Sequence, residues 1–491
     1  MEYPEKALSQ AANLYFFTPM SKRTPSRISL RVPLPNSGRF FSILACLSIL
    51  SMLCPSGLAY AQSATLELPE AIRLAVENNF ALSLSQDRSD QASVSRTGGA
   101  GAFLPSASAS ATHSGTFRDT AGQTTLGASA NWLVFNGFQD YNGYRRLQAQ
   151  ERAARLEERQ SLESLLETVV VSYYDIVQLK QKLDAIGHLL AVSQERATLS
   201  QAKLEVGAGS KLDQLQSLAD LNEDSSTYLN QSAALAQAKV RLNQVLAREP
   251  TLDFDVADSI PLDAAPPLDE WRKGLGENNS AIAAARVGKS AAASGLAAAR
   301  GRWLPSVSTG LSFGTTPSRF QDEGFRNPDD WRYNVNLSIP LFDRLGTPTA
   351  VRSARLDVRS GETRLRQAES EAASDFEQAR KQYETAMRRI SLETRNLQVA
   401  RLQAEAAQER YKLGASSPLE FRDAQTRLLD AEGRLISARQ SAKQSEAALQ
   451  RLAGYLIRQA PAGANGARSA GSAGSPAGAG GSSSADSAGG K

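Results

Sequence analysis

Two short stretches hold the charged residues best placed to do chemistry. Asp213 follows the break Gly207-Ala-Gly-Ser210, and Glu420, Arg422 and Asp423 follow a second break, Gly414-Ala-Ser416-Ser417. Glu420 and Asp423 are three apart and share a helix face. The chemistry open to these acids is electrostatic: like charges held close raise one another's pKa values and focus a field that favours cations. Acids in the first turn of a helix also simply complement its dipole, and both readings stand at this point. The glycines at the breaks serve tight reversal, or present knobs for a partner to grip, or both.

Covalent and metal chemistry find little support. The chain has two histidines, His113 and His188, and two cysteines, Cys46 and Cys54, both near the N-terminus. A zinc or thiol site is therefore not expected. Gly207-x-Gly209 lacks the third glycine and preceding strand of a dinucleotide loop, and Gly209-Ser-Lys211 is not a phosphate loop. No catalytic residue, metal or cofactor is assigned.

The elements that must position these residues begin with a leader over residues 1–61. Lys6, Lys22, Arg23, Arg27, Arg31 and Arg39 precede the apolar run Phe40–Leu53, and Ala59-Tyr60-Ala61 follows. Basic region, apolar region and A-x-A site together read as a secretory signal. About fourteen apolar residues are too few to span a bilayer. The leader's six basic and two acidic residues account for the whole chain's net charge of +4. The remainder is close to neutral, so the basic pI says nothing about nucleic acid, and none is expected as a partner. Both cysteines leave with the leader. No later apolar run approaches eighteen residues, so any membrane crossing must use strands.

Beyond the leader the chain repeats itself. Asn278-Asn279 and Leu304-Pro305-Ser306 lie 200 residues after Asn78-Asn79 and Leu104-Pro105-Ser106. Leu341-Phe342-Asp343 lies 207 after Val134-Phe135-Asn136, as Lys412-Leu413-Gly414 does after Glu205-Val206-Gly207. The expected unit is a helix, two strands, a long helix, a turn and a helix, occurring twice. The first copy spans residues 62–250, with a helical segment from Leu66 to about Gly101 and strands near 103–117 and 123–136. A long helix over Phe138 to about Val206 and a second from Lys211 to about Arg248 complete it. An acidic, proline-bearing linker covers 251–268. The second copy spans 269–459, with strands near 303–314 and 330–342 and a long helix from Gly346 to Leu413. The Gly/Ala/Ser tail, 460–491, is too poor in apolar residues to offset its chain entropy.

The strands alternate apolar and polar residues with period two. Pro305, Val307, Thr309, Leu311 and Phe313 take one face; Trp331, Tyr333, Val335, Leu337 and Ile339 take another. Strands of ten to twelve residues, tilted, cross a hydrocarbon layer. Four strands cannot close a barrel and an open edge is not tolerated in lipid, so the chain must oligomerise. Two copies would supply eight strands and three would supply twelve; an eight-stranded barrel is filled by its own side chains, whereas twelve leave a lumen. The small polar faces, such as Ser306, Ser308 and Gly310, suit a wet interior. The long Ala-, Gln- and Arg-rich helices pack as hairpins with narrow seams. A purely structural coiled-coil protein of the periplasm or surface is the alternative, but it needs neither strand pair.

Over about Leu66 to Leu456 the sequence resembles the TolC-like outer-membrane efflux proteins. The residues that carry the resemblance are the two Leu-Pro-Ser triplets and the turns Phe135-Asn136-Gly137 and Pro340-Leu341-Phe342-Asp343. The motifs Val206-Gly-Ala-Gly-Ser-Lys-Leu-Asp213 and Leu413-Gly-Ala-Ser-Ser-Pro-Leu-Glu-Phe-Arg-Asp423 complete the set. The resemblance implies a mainly α protomer with a membrane β-barrel, assembled as a homotrimer with a 12-stranded barrel on a 12-helix periplasmic tunnel. It implies a passive exit duct in the outer-membrane lipid, serving tripartite efflux or type I secretion. The partners would be a periplasmic adaptor and an inner-membrane RND or ABC transporter. Asp213, Glu420 and Asp423 match acidic positions at the periplasmic aperture. Ser416 stands where many relatives carry arginine, which points to Arg422 as a substitute for gate contacts. Gly207, Gly209, Gly414 and Ser416 would form the adaptor-docking tips. Asn136, Gly137, Pro340 and Asp343 would form the barrel-to-helix turns.

Overall fold

The computed structural model describes residues 65–116, 119–262, 266–315 and 330–459. The leader at 1–61 and the tail at 460–491 lie outside the described residues. The first helical segment is broken where the sequence reading runs it straight through. Helix α1, Leu68–Asn78, ends at Asn79, and α2 covers Phe80–Ala100. Asn79 has extended backbone; its side-chain oxygen accepts from the Leu82 N–H at 3.1 Å and its amide nitrogen donates to the Val245 carbonyl at 2.8 Å. A short polar side chain that caps one helix and ties it to another outweighs the helical propensity on either side. The second copy repeats the device. Helices α5, Leu268–Asn278, and α6, Ser280–Gly301, meet at Asn279, which accepts from the Ile282 N–H and donates to the Leu452 carbonyl, both at 3.0 Å.

Four strands follow the helix pairs: β1 Ser106–Thr116, β2 Asp119–Asn136, β3 Ser306–Thr315 and β4 Asp330–Ser338. They form one antiparallel sheet in the order β1-β2-β3-β4, so the two hairpins join through β2 and β3. Strand β4 stops at Ser338 rather than near 342 because Pro340 has no N–H to offer a ladder. The register carries each face across all four strands. Ala109, Ala128, Phe313 and Trp331 lie in one row, and Ala107, Ala130, Leu311 and Tyr333 in another. Opposite them run Ser108, Ser129, Ser312 and Arg332. The Phe313 and Trp331 rings, 5.1 Å apart, close the apolar side of the second hairpin.

Two long helices leave the sheet. Helix α3, Gln139–Glu205, and α7, Gly346–Lys412, have 67 residues each, which is roughly 100 Å of helix. Each returns through a shorter partner, α4 Lys211–Val245 and α8 Pro418–Leu452. Helix α3 packs on α2, α4, α6 and α8, whereas α7 packs on α6 and α8 alone among the long elements and so forms one edge of the protomer.

The apolar core sits at mid-height, in two clusters. One joins Ala71 and Ala75 of α1 to Leu166, Val169, Tyr173 and Ile176 of α3 and Leu242 of α4. Phe254, Val256 and Ile260, from the stretch read as a linker, are buried in it. The Tyr173 hydroxyl donates to the Leu66 carbonyl at 2.9 Å and accepts from the Ala257 N–H at 3.2 Å, pinning that stretch down. Its neighbour Tyr174 is also buried, and loss of water pushes its hydroxyl up to about 12. The second cluster sets Trp271 of α5 against Phe376 and Tyr383 of α7 and Leu449 of α8. Asn279 is the joint of that second half. Asn279→Ala removes a cap and strands a buried carbonyl, so it should cost about 2 kcal/mol. Asn79→Ala, at a less buried joint, should cost less, as read by thermal unfolding of the purified protein in detergent.

Candidate functional site

Both helical hairpins turn in the same way. Gly207 and Gly414 have φ of +75° and +72°, the left-handed conformation that ends a helix without a β-carbon penalty. Behind each, an alanine N–H reaches back into the helix: Ala208 to Lys203 and Ala415 to Arg410, both at 2.8 Å. A side chain at Gly209 would press on the Lys203 and Leu204 backbone at 3.0 Å. The tip glycines therefore have a structural reason to be glycine whatever else they do.

The returning helices start on serine caps. The Ser210 hydroxyl accepts from the Leu212 N–H at 3.0 Å, and Asp213 sits half-buried in the first turn of α4. At the second tip Ser417 and Glu420 form a reciprocal capping box. The Ser416 hydroxyl adds a bond to Glu420 Oε2 at 2.7 Å. These contacts, the Ser416 hydroxyl foremost, hold the Glu420 carboxyl below its ordinary value. Glu420 thus stands exposed at the tip as a stabilised anion that helps cap α8. Asp423, one turn on and on the same face, pairs with Arg427 at 2.9 Å, both side chains being largely exposed. Such a surface pair is worth little and leaves a negative field in reach of solvent.

Arg422 points elsewhere. Its two guanidinium nitrogens grip both oxygens of Asp224, on α4, at 2.6 and 2.7 Å. Asp224 is buried and also accepts from the Ser193 hydroxyl of α3 at 2.5 Å. One level along, buried Arg196 of α3 holds Asp220 of α4 at 2.7 Å. The Arg422–Asp224 pair ties the two hairpins of the protomer together by charge near their tips, and Arg196–Asp220 ties the first hairpin to itself. Above this lock the Tyr411 and Phe421 rings stack, 5.0 Å apart and 10° from parallel, with the Lys203 ammonium 5.3 Å from the Tyr411 ring centre.

Sequence reasoning missed Asp224, Tyr411 and Lys203. Asp224 lies 198 residues from Arg422 and carries no spacing signal. Arg427, the i+4 partner of Asp423, was missed as well, although that spacing is a signal that could have found it.

At the other end of the long helices, Asn136 and Asp343 shape the turns out of the sheet. The Asn136 side-chain oxygen accepts from the Asp140 N–H at 3.2 Å, and Asp343 Oδ2 accepts from the Thr347 N–H and hydroxyl, both at 2.5 Å. Gly137 has φ of +69° and lies so close to α6 that a β-carbon would sit 2.2 Å from the Gly301 carbonyl oxygen. Pro340 lies between the end of β4 and this second turn, which carries Asp343.

Residues 71–248 and 271–455, the bulk of both repeats, match the family described as Outer membrane efflux protein. The chain belongs to that family. It is 25% identical over 336 residues to the outer membrane efflux protein BepC of Brucella suis, covering 64% of this chain and 68% of BepC. It is 26% identical over 305 residues to the protein CyaE of Bordetella pertussis, covering 58% of this chain and 64% of CyaE. The fold is similar to that of the Campylobacter jejuni CmeC outer membrane channel, with a TM-score of 0.70 at 16% identity. That likeness covers 79% of this chain and 85% of CmeC. As a member of the outer membrane efflux proteins, the chain is an exit duct of the outer membrane, with its helical part in the periplasm. No helix among the described residues is long and apolar enough to cross a membrane.

The tip makes a direct prediction. Because the folded pKa of Glu420 is lowered, its stabilising share is complete above the ordinary value of 4.5 and is lost as pH falls through the lowered one. Ser416→Ala should move the Glu420 titration back toward 4.5, as read by isotope-edited infrared spectroscopy of the carboxyl band. An unchanged titration would show that the Ser416 hydroxyl does not stabilise the carboxylate.

Proposed function

We propose that three copies of this chain close into one duct, a twelve-stranded barrel continued by a ring of twelve helices. The observation that supports this reading is the sheet order: among the described residues β1 and β4 are the outer strands, each paired on one side. Within lipid, backbone groups cost several kcal/mol each unless paired, so β4 of one copy must meet β1 of the next. The apolar rows then face lipid and the Ser/Asn rows face the lumen. Helix α7, the protomer's edge, meets the next copy below the membrane.

The aperture in this reading is the ring of hairpin tips. Asp213, Glu420 and Asp423, each present three times, make it negative and favour cations. The tie between Arg422 and Asp224 holds α8 to α4 inside each protomer. Opening must therefore move the two hairpins together or break a buried, doubly hydrogen-bonded pair. The tips around Gly207, Gly209, Gly414 and Ser416 dock a periplasmic adaptor. An inner-membrane RND or ABC transporter supplies the energy, in tripartite efflux or type I secretion. The duct itself does no covalent chemistry and needs no cofactor.

Mass measurement in detergent tests the assembly: a trimer is expected, and an elongated monomer would overturn it. In planar bilayers Arg422→Ala should raise single-channel conductance, because Asp224 is left buried and uncompensated at a cost of roughly 3 kcal/mol. Asp423→Ala should weaken cation preference. Unchanged conductance in the first and unchanged selectivity in the second would remove both residues from the gate.

A further inference from the structure

The long helices of the protomer lie side by side in the order α4, α3, α8, α7, with α4 packed along α3 alone and α7 along α6 and α8. Helix α4 turns Ser217, Asp224, Ala238 and Leu242 inward, and the Ser217 hydroxyl shares a hydrogen bond with Ser200 of α3. Another side of α4 carries Leu215, Leu218, Leu229 and Val240, all exposed. Their intervals of 3, 11 and 11 residues keep them on one face of the helix. Helix α7 repeats the arrangement at the opposite end of the layer. Glu393, Ala400 and Ala404 are buried, and Glu393 accepts from the Arg434 guanidinium of α8 at 3.1 Å. Leu392, Val399 and Leu402, at intervals of 7 and 3, are exposed on another side.

The two stripes lie level. Lys211 to Leu229 is 18 residues and Leu392 to Lys412 is 20, so both leucines stand roughly 30 Å from the hairpin tips. Apolar side chains at this spacing form the seam of a helix pair once a second helix covers them. Within the protomer α4 and α7 are separated by α3 and α8, so neither covers the other.

We propose that the two stripes are the halves of one seam, α4 of one copy against α7 of the next, and that the aperture opens by sliding along it. The inference rests on the ring proposed above, in which β4 of one copy meets β1 of the next. At both levels the second repeat of one copy then meets the first repeat of its neighbour. Two different surfaces joined head to tail in this way close a ring rather than pair two copies. Inside each copy the hairpins are held by Arg422 on both oxygens of buried Asp224 and by the Lys203 ammonium over the Tyr411 ring. Those contacts fix distance and angle. Leucine and valine pack without a preferred direction, so helices joined through them shift past one another readily. The seam between copies is therefore the one that slides, and each copy moves its two hairpins as a unit.

The chain has no cysteine after Cys54, so introduced thiols report on the seam without background. Leu229→Cys is combined in turn with Leu392→Cys, Val399→Cys and Leu402→Cys in the full-length protein, which is purified in detergent and oxidised. At least one pair should give covalent dimers and trimers on a denaturing gel, while each single variant runs as a monomer. A trimeric wild type with no cross-link in any of the three pairs overturns the seam and leaves the ring standing. A monomeric wild type overturns the ring itself. In planar bilayers the cross-linked pair should lose conductance when oxidised and regain it on reduction with dithiothreitol. Equal conductance in the two states overturns the sliding.

Discussion

A backbone amide inside a hydrocarbon layer has no water to turn to, and the proposed duct rests on this constraint. Among the described residues the chain places four antiparallel strands side by side, with β1 and β4 outermost. The register holds apolar residues in continuous rows on one face and serine, glycine and asparagine on the other. A sheet of that kind satisfies lipid and water at once only when it is closed. The duplication is an economical way to reach closure: one strand pair is copied within the chain, and the proposed ring copies the chain.

The helices obey a different constraint. At 67 residues, α3 and α7 are far too long to be wrapped by one core. Apolar packing is concentrated at mid-height, where α1, α5 and the stretch around Phe254 lie against them. Buried polar contacts set the register as well, both beside that level and toward the tips. Glu163 of α3 accepts from the Ser280 hydroxyl of α6 and pairs with Arg159, and Asp224 binds Arg422 and Ser193. Buried charge pairs add little net stability but penalise misalignment severely when one partner is lost. The helical part is thus held by apolar packing at mid-height and by charge toward its tips.

The two ends of the long helices use their turns differently. At the tips, left-handed glycines and serine caps leave the acids of α4 and α8 near solvent. At the sheet, Gly137 is wedged against Gly301, while its counterpart Arg344 takes the same backbone form without that neighbour.

Much of this was legible in residue order. Period-two alternation over 103–136 and 303–342, helical spacing between, and recurring Asn-Asn and Leu-Pro-Ser pairs define the elements and their duplication, because side-chain periodicity is a local property. The acids at 213, 420 and 423 were legible for the same reason. Local pattern does not reach the contacts that give them their roles. The break at Asn79 depends on a carbonyl at Val245, and the burial of Phe254 depends on α3 passing beneath it. Arg422 turns inward only because Asp224, two hundred residues away, lies beside it. Sequence by itself determined which segments are helix, strand and turn. Tertiary structure decided which charges are spent on holding hairpins together and which remain exposed at the tips. That choice depends on distances between helices, which no spacing along the chain encodes.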